Sequence, residues 1–164
     1  LKGSIPISST TFGLVNELAA LEPAESNGIV SGYGYYEELK TDASVKFVSA
    51  LKEKFPGIPY ISELAAGTYE GFHLWVKAAQ QAKSIDRMKV IEALETGLSF
   101  DGPTGKVTLD KATHHSVRNA FLAEAKDKLW DVVASYPDQK PSDTAAVCDL
   151  VKNPNDNKQY VISL

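Results

Sequence analysis

The segment FDGPTGKVTLDKATHH, Phe100 to His115, combines a Gly-Pro turn, a second glycine, an alternating run and two adjacent histidines. From Lys106 the period is two, with Val107 and Leu109 alternating with Lys106, Thr108 and Asp110, the mark of a half-buried strand. His114 and His115 are neighbours, so on a strand they point to opposite faces and do not easily chelate one ion. Neither His73 nor Cys148 stands at a recognisable zinc-ligand spacing from them. The pair therefore reads as scaffold or as a boundary, and no metal is expected.

Downstream, Val117, Asn119, Phe121 and Ala123 alternate again, and Leu129 to Val133 follows after the polar turn Lys126-Asp127-Lys128, which predicts a hairpin. From Pro137 to Leu164 the chain is rich in Pro, Asp, Asn and Lys and reads as an irregular strap with one short turn at Ala145 to Leu150. Upstream, Asp86 caps a helix through Met88, Ile91 and Leu94 that stops at Gly97. A longer helix is expected from Ser62 to Lys83, with His73 a packed or solvent-edge side chain inside it. Asp42 caps another, carrying Val45, Val48, Leu51 and Phe55 and ended by Pro56-Gly57.

The amino-terminal third reads as a strand over Ser4 to Ser8, the hydroxyl cluster Ser8-Ser-Thr-Thr11, and a helix bearing Leu14, Val15, Leu18 and Leu21 with Thr10 or Thr11 as its N-cap. Pro23 and Asn27-Gly28 then break the chain before a strand from Ile29 to Tyr33. Strands alternating with helices, followed by a late antiparallel pair, describe an α/β or α+β chain with part of a parallel sheet. Ligands of such sheets sit at the carboxyl ends of the strands, here Ser8 to Thr11 and Tyr33 to Glu37.

The bulk composition excludes several classes of function. The 164 residues are 43% hydrophobic and 23% charged, with formal net charge -4, as in an ordinary globular domain. There is no basic cluster to hold nucleic acid. No apolar run approaches the ~20 residues that cross a bilayer, and nothing at the start has the order of a signal peptide. A start at Leu1 rather than Met reads as a non-native beginning. One cysteine, Cys148, excludes an internal disulfide and any CxxC motif.

Ser31-Gly-Tyr-Gly-Tyr-Tyr-Glu37 lacks the third glycine of a dinucleotide fingerprint, so no cofactor is expected. No G-x-S-x-G elbow, Walker sequence or carboxylate–histidine constellation is present, and no catalytic residue is assigned. What remains is recognition chemistry. Hydroxyls at a helix start can hold a carboxylate or carbonyl oxygen, Tyr33, Tyr35 and Tyr36 can wall a site with polar tips, and Glu37 can take an ammonium or amide N–H.

Taken in order, the Ser/Thr loop, the Asn-Gly strand, Thr68-Tyr-Glu-Gly-Phe-His-Leu-Trp-Val-Lys-Ala78, Val90-Ile-Glu-Ala-Leu-Glu95 and Phe100 to Asp110 with His114-His115 resemble the type I periplasmic substrate-binding proteins of ABC transporters. The branch they resemble is that of the branched-chain amino acid, amide and urea receptors. The resemblance implies an α/β fold of two Rossmann-like lobes joined by three hinge crossovers, of which only the carboxy-terminal portion is present. Residues 1–36 would then belong to the second lobe, 37–113 to the first, 114–136 would return to the second, and 137–164 would form the strap. Cleft contacts carried over are Ser9, Thr10, Thr11, Tyr35, Tyr36, Glu37, Glu63 and Leu64, with Glu37, His114 and His115 at hinge crossings. Ser8-Ser-Thr-Thr11 departs from the amide and urea branch, many of whose members carry acidic residues in the following stretch.

The implied function is a periplasmic receptor of a bacterial ABC importer that binds an amino acid or small amide. Its implied partners are a membrane permease and the missing amino-terminal portion of the same protein. A cytoplasmic amide-sensing regulator of the same fold is the alternative.

Overall fold

The alternation after Gly105 does form a strand, and it is one half of a hairpin. In the computed structural model, which describes residues 5–15 and 17–159, β3 (Ser99–Gly102) and β4 (Gly105–Leu109) pair antiparallel, with Gly102 opposite Gly105. Gly102, Thr104 and Gly105 of the F-D-G-P-T-G motif each have a physical task there. A Cβ on Gly102 would stand 2.5 Å from Glu70 Cγ, and Gly105, at φ +108°, would press one against Asn119 Nδ2 at 2.5 Å. Thr104 donates both its backbone N–H (2.8 Å) and its hydroxyl (2.7 Å) to Glu70 Oε1. The Thr104 carbonyl accepts from Asn119 Nδ2 at 2.9 Å.

The other elements are β1 (Ser8–Ser9), α1 (Glu17–Ala20), α2 (Pro23–Ser26), β2 (Val30–Tyr33), α3 (Asp42–Lys54), α4 (Glu63–Ala82), α5 (Arg87–Leu94), β5 (Ser116–Lys126), β6 (Leu129–Gln139) and α6 (Ser142–Val147). The open sheet runs β1-β2-β5-β4-β3, with β6 also paired to β5. Among the described residues only β1 and β2 are parallel, and every other pairing is antiparallel. The main core gathers Tyr35, Tyr36, Leu39, Phe47, Ile61, Phe121 and Trp130. A smaller one, Ala78, Val90 and Ala93, joins α4 to α5.

Several expectations hold, because their causes are local. Asp86 caps α5 by accepting from Met88 N–H and Lys89 N–H, and Gly97 takes the left-handed conformation beyond its end. The β5–β6 hairpin turns through Asp127 and Lys128, both at positive φ, the geometry that matches strand twist in a tight hairpin. Asn27 braces this turn, accepting from Asp127 N–H at 2.9 Å and donating to its carboxylate at 3.3 Å.

Others need correction. Ser4 lies outside the described residues, and the expected strand is confined to Ser8–Ser9, since Pro6 has no N–H to give a ladder. The helix of Leu14 to Leu21 is only Glu17–Ala20. Gly13, at φ +99° and packed against the Trp130 ring, cannot continue a helix. Neither Thr10 nor Thr11 is a cap; Ser9 Oγ accepts from Thr11 N–H (3.1 Å) and Phe12 N–H (2.9 Å) and closes a turn instead. Pro23, read as a breaker, starts α2, where Glu22 and Glu25 form a capping box. Thr41 rather than Asp42 caps α3, accepting from Ser44 N–H. β6 continues through Pro137, which its unpaired outer edge tolerates, and the tail forms α6.

Two substitutions test this packing. Gly13→Ala forces a side chain into Trp130 from a left-handed backbone and should cost about 3 kcal/mol or more, read as a lower Tm with red-shifted tryptophan emission. Glu70, only 2% exposed, has its pKa raised, chiefly by burial. The native state therefore holds its proton more tightly than the unfolded chain, and stability should rise as pH falls from that raised pKa to the ordinary glutamate range. Glu70→Gln should abolish this acid-side gain in urea melts, and Glu70→Ala should cost about 2–4 kcal/mol at neutral pH by stranding two Thr104 donors.

Candidate functional site

The hydroxyl cluster lies where β1 ends beside β2. Ser8 to Thr11, Val30 to Gly32 and Leu122 line an open groove of about 540 Å³. The loop is held in shape from below: Ser31, fully buried, donates to Phe12 O at 2.7 Å, and Ser9 occupies the Thr11 and Phe12 N–H groups. The backbone donors expected to face a ligand are thus already engaged. The exposed Thr10 and Thr11 hydroxyls supply the groove's polar chemistry, Thr11 Oγ1 lying 3.3 Å from Ser9 Oγ.

The other carried-over residues stand apart from this groove. Tyr35 and Tyr36 are core side chains at 2% and 0% exposure, and burial pushes both phenols up to about 12. The Tyr35 hydroxyl lies 3.1 Å from Ser44 Oγ. Glu37 is a brace between segments, accepting from Ile61 N–H at 2.6 Å and from the Lys52 ammonium. Its neighbour Glu38 accepts from Tyr60 Oη (2.8 Å) and Trp130 N–H (3.1 Å). Tyr60 is raised well above the ordinary phenol range, first by burial and then by the Glu38 charge.

Glu63, the first residue of α4, reaches back to β2: its Oε1 accepts from Gly34 N–H at 3.0 Å and lies 3.4 Å from Arg118 Nη2. Leu64 beside it is 64% exposed. Arg118, Ser31, Glu70 and Thr104 are the residues that sequence reading missed. Arg118 had one available signal: it sits one position off the alternating face Val117, Asn119, Phe121, Ala123, yet inside a strand.

His114 and His115 shape the turn between β4 and β5. His114, at φ +56°, donates its N–H to Asp110 O at 2.7 Å and sets Nε2 2.8 Å from Glu95 Oε1. This contact and Lys111 hold the Glu95 pKa below the usual range. His115 turns Nδ1 toward Thr113 O, 3.0 Å away. Thr113 in turn donates its N–H and hydroxyl to the Asp110 carboxylate. Among the described residues no three His, Cys, Asp or Glu side chains are placed to hold a metal ion, and no helix is long and apolar enough to cross a membrane.

Among solved structures, the solute-binding protein of an ABC transporter from Rhodopseudomonas palustris HaA2, in complex with p-hydroxybenzoic acid, has a TM-score of 0.74 with this chain at 22% identity, covering 84% of this chain and 39% of its own. An ABC-type branched-chain amino acid transporter from Rhodopseudomonas palustris CGA009 gives 0.64 at 24% identity, over 80% and 36%. Likeness at this identity carries the fold, that of type I periplasmic binding proteins. A curated relative, limonene hydroxylase of Geobacillus stearothermophilus, is 25% identical over 138 residues, 82% of this chain and 25% of its own length. The chain therefore spans well under half the length of each of these proteins. The profile of the family described as periplasmic binding protein matches residues 1–129, and by that match the chain belongs to the periplasmic binding protein family.

Proposed function

We propose that the protein is a solute-binding receptor of a bacterial ABC importer, working in the periplasm by binding and closure and without covalent chemistry. The observation that carries the reading is the groove of Ser9, Thr10 and Thr11 at the carboxyl end of the parallel pair β1 and β2, where α/β sheets present ligands. Its solute is small and polar, an amino acid or a small amide, with aromatic acids of the kind named for its structural relatives in the same size range.

In this reading residues 1–36 and 114–136 belong to one lobe and 37–113 to the other. The crossings fall at Glu37 and at His114-His115, and 137–164 form the strap. Glu37 then braces a crossing through Ile61 N–H and Lys52, and the Asp110–His115 turn fixes the direction of the last one. A ligand that touches both lobes favours the closed form only by its differential affinity for it, and the permease reads that form. Thr10 and Thr11 supply hydroxyls, Ser9 shapes their loop, Glu63 and the exposed Leu64 meet the solute from the start of α4, and Tyr35 and Tyr36 support the site from the core.

A thermal-shift panel of amino acids, amides, urea and aromatic acids on the whole protein tests this. At ligand concentrations about 100-fold above Kd the stabilisation should be about 2.7 kcal/mol, a shift of several degrees. Thr10 makes no hydrogen bond in the ligand-free groove, so Thr10→Val should leave the ligand-free Tm unchanged and weaken the best ligand about fivefold. If no class in the panel raises Tm, the receptor reading is lost.

A further inference from the structure

Glu38 takes no part in the hydroxyl groove, yet its carboxylate oxygens accept from opposite sides of the crossing. Oε2 accepts from Tyr60 Oη at 2.8 Å, and Oε1 accepts from Trp130 N–H at 3.1 Å. Tyr60 stands just before α4, in the stretch 37–113, whereas Trp130 belongs to β6. Tyr60 Oη itself accepts Glu37 N–H at 3.2 Å, so the phenol is held on the crossing by two adjacent residues. Among the described residues no strand covers the outer edge of β6, and the Glu38 side chain is what satisfies the Trp130 N–H there.

Beyond Glu38 the crossing has room to move. Residues 38–41 and the hairpin side chains Lys126, Leu129 and Asp131 face one another across an open cavity of about 650 Å³. Among the described residues, the bond from Trp130 to Glu38 is the hydrogen bond that spans it. Two other bonds join the same stretches of chain, Gly34 N–H to Glu63 and Asn119 to Thr104 O, and neither pair lines this cavity.

A hinge absorbs its motion in a few residues at the ends of elements. A bond that spans it biases its angle when the bond holds at one angle and breaks at another. We propose that Glu38 is a positioning residue for closure: its bonds to Tyr60 and Trp130 hold the crossing at one angle, and the lobes swing wider when those bonds are lost. Glu38 thereby sets the affinity for the solute without touching it, because apparent affinity falls with the fraction of molecules in the competent form. The role needs a carboxylate. Both partners are donors, and glutamine offers one acceptor oxygen while turning an NH2 toward the other donor. This inference rests on the receptor reading and adds to it a residue outside the groove.

Double electron–electron resonance on the whole protein reads the angle without any solute. Spin labels go on the exposed positions Lys89→Cys of α5 and Glu124→Cys of β5, with Cys148→Ser in every sample. The distance distribution should be narrow in the labelled parent, about twofold wider in Glu38→Gln, and intermediate in Tyr60→Phe, which loses one of the two bonds. Thr41→Ala strips the cap of α3 in the same segment and breaks no bond across the crossing. It should lower Tm and leave the parent distribution unchanged, which separates a hinge role from a merely structural one. Parent widths in both Glu38→Gln and Tyr60→Phe overturn the positioning role, and so does equal broadening by Thr41→Ala. The receptor reading then stands, because the thermal-shift panel decides it separately. If Glu38→Gln does not fold, Tyr60→Phe decides alone.

Discussion

A carboxylate removed from water must find donors inside the protein, and much of this architecture follows from where Glu70 finds them. Its partners are the N–H and hydroxyl of Thr104, 34 residues away on the β3–β4 turn. That choice fixes the hairpin against α4 and requires a glycine at 102 so that the two backbones can approach. Asn119 extends the chain of bonds, donating to Thr104 O and accepting from Asp138 N–H. Helix, hairpin, β5 and β6 are thus joined by one polar line that runs from the interior to the surface, and such a line is strong only while every member is satisfied.

A second set of acceptors, half-buried, organises the crossover after β2. Glu37 and Glu38, adjacent in sequence, diverge. One ties Ile61 and Lys52, and the other ties Tyr60 and Trp130. Between them the aromatic run Tyr33 to Tyr36 becomes the centre of the core rather than the wall of a cleft. The order of bonds explains this: with both carboxylates turned to protein donors, the tyrosines on the same segment are drawn beneath Trp130 and Phe47.

Features with nearby causes were legible in the sequence. Asp86 capping α5, the turn at Asp127 and Lys128, and the extent of α4 depend on residues within a few positions, and each could be read. The family resemblance was legible because its motifs occur in a fixed order. What escaped depends on partners far along the chain. Gly13 is left-handed against Trp130, Thr104 answers Glu70, and Arg118 answers Glu63. Of the hydroxyl cluster, Thr10 and Thr11 lie in a loop beside a strand end as expected, whereas Ser8 and Ser9 are the strand itself. The cap was misread, because Ser9 competes for the N–H groups that a helix would have left free.

The position of β5 also governs how the chain reaches this state. β5 pairs with β2, with β4 and with β6, and Asn27 meets Asp127 across a separation of 100 residues. Among the described residues, β1 and β2 therefore reach an antiparallel neighbour only through β5. Contacts so distant in sequence must close long loops before they are rewarded, which slows folding. During that interval the apolar side of β2 and the Tyr33 to Tyr36 run are uncovered and open to wrong partners. The rate at which β5 docks therefore sets how long these surfaces stay exposed.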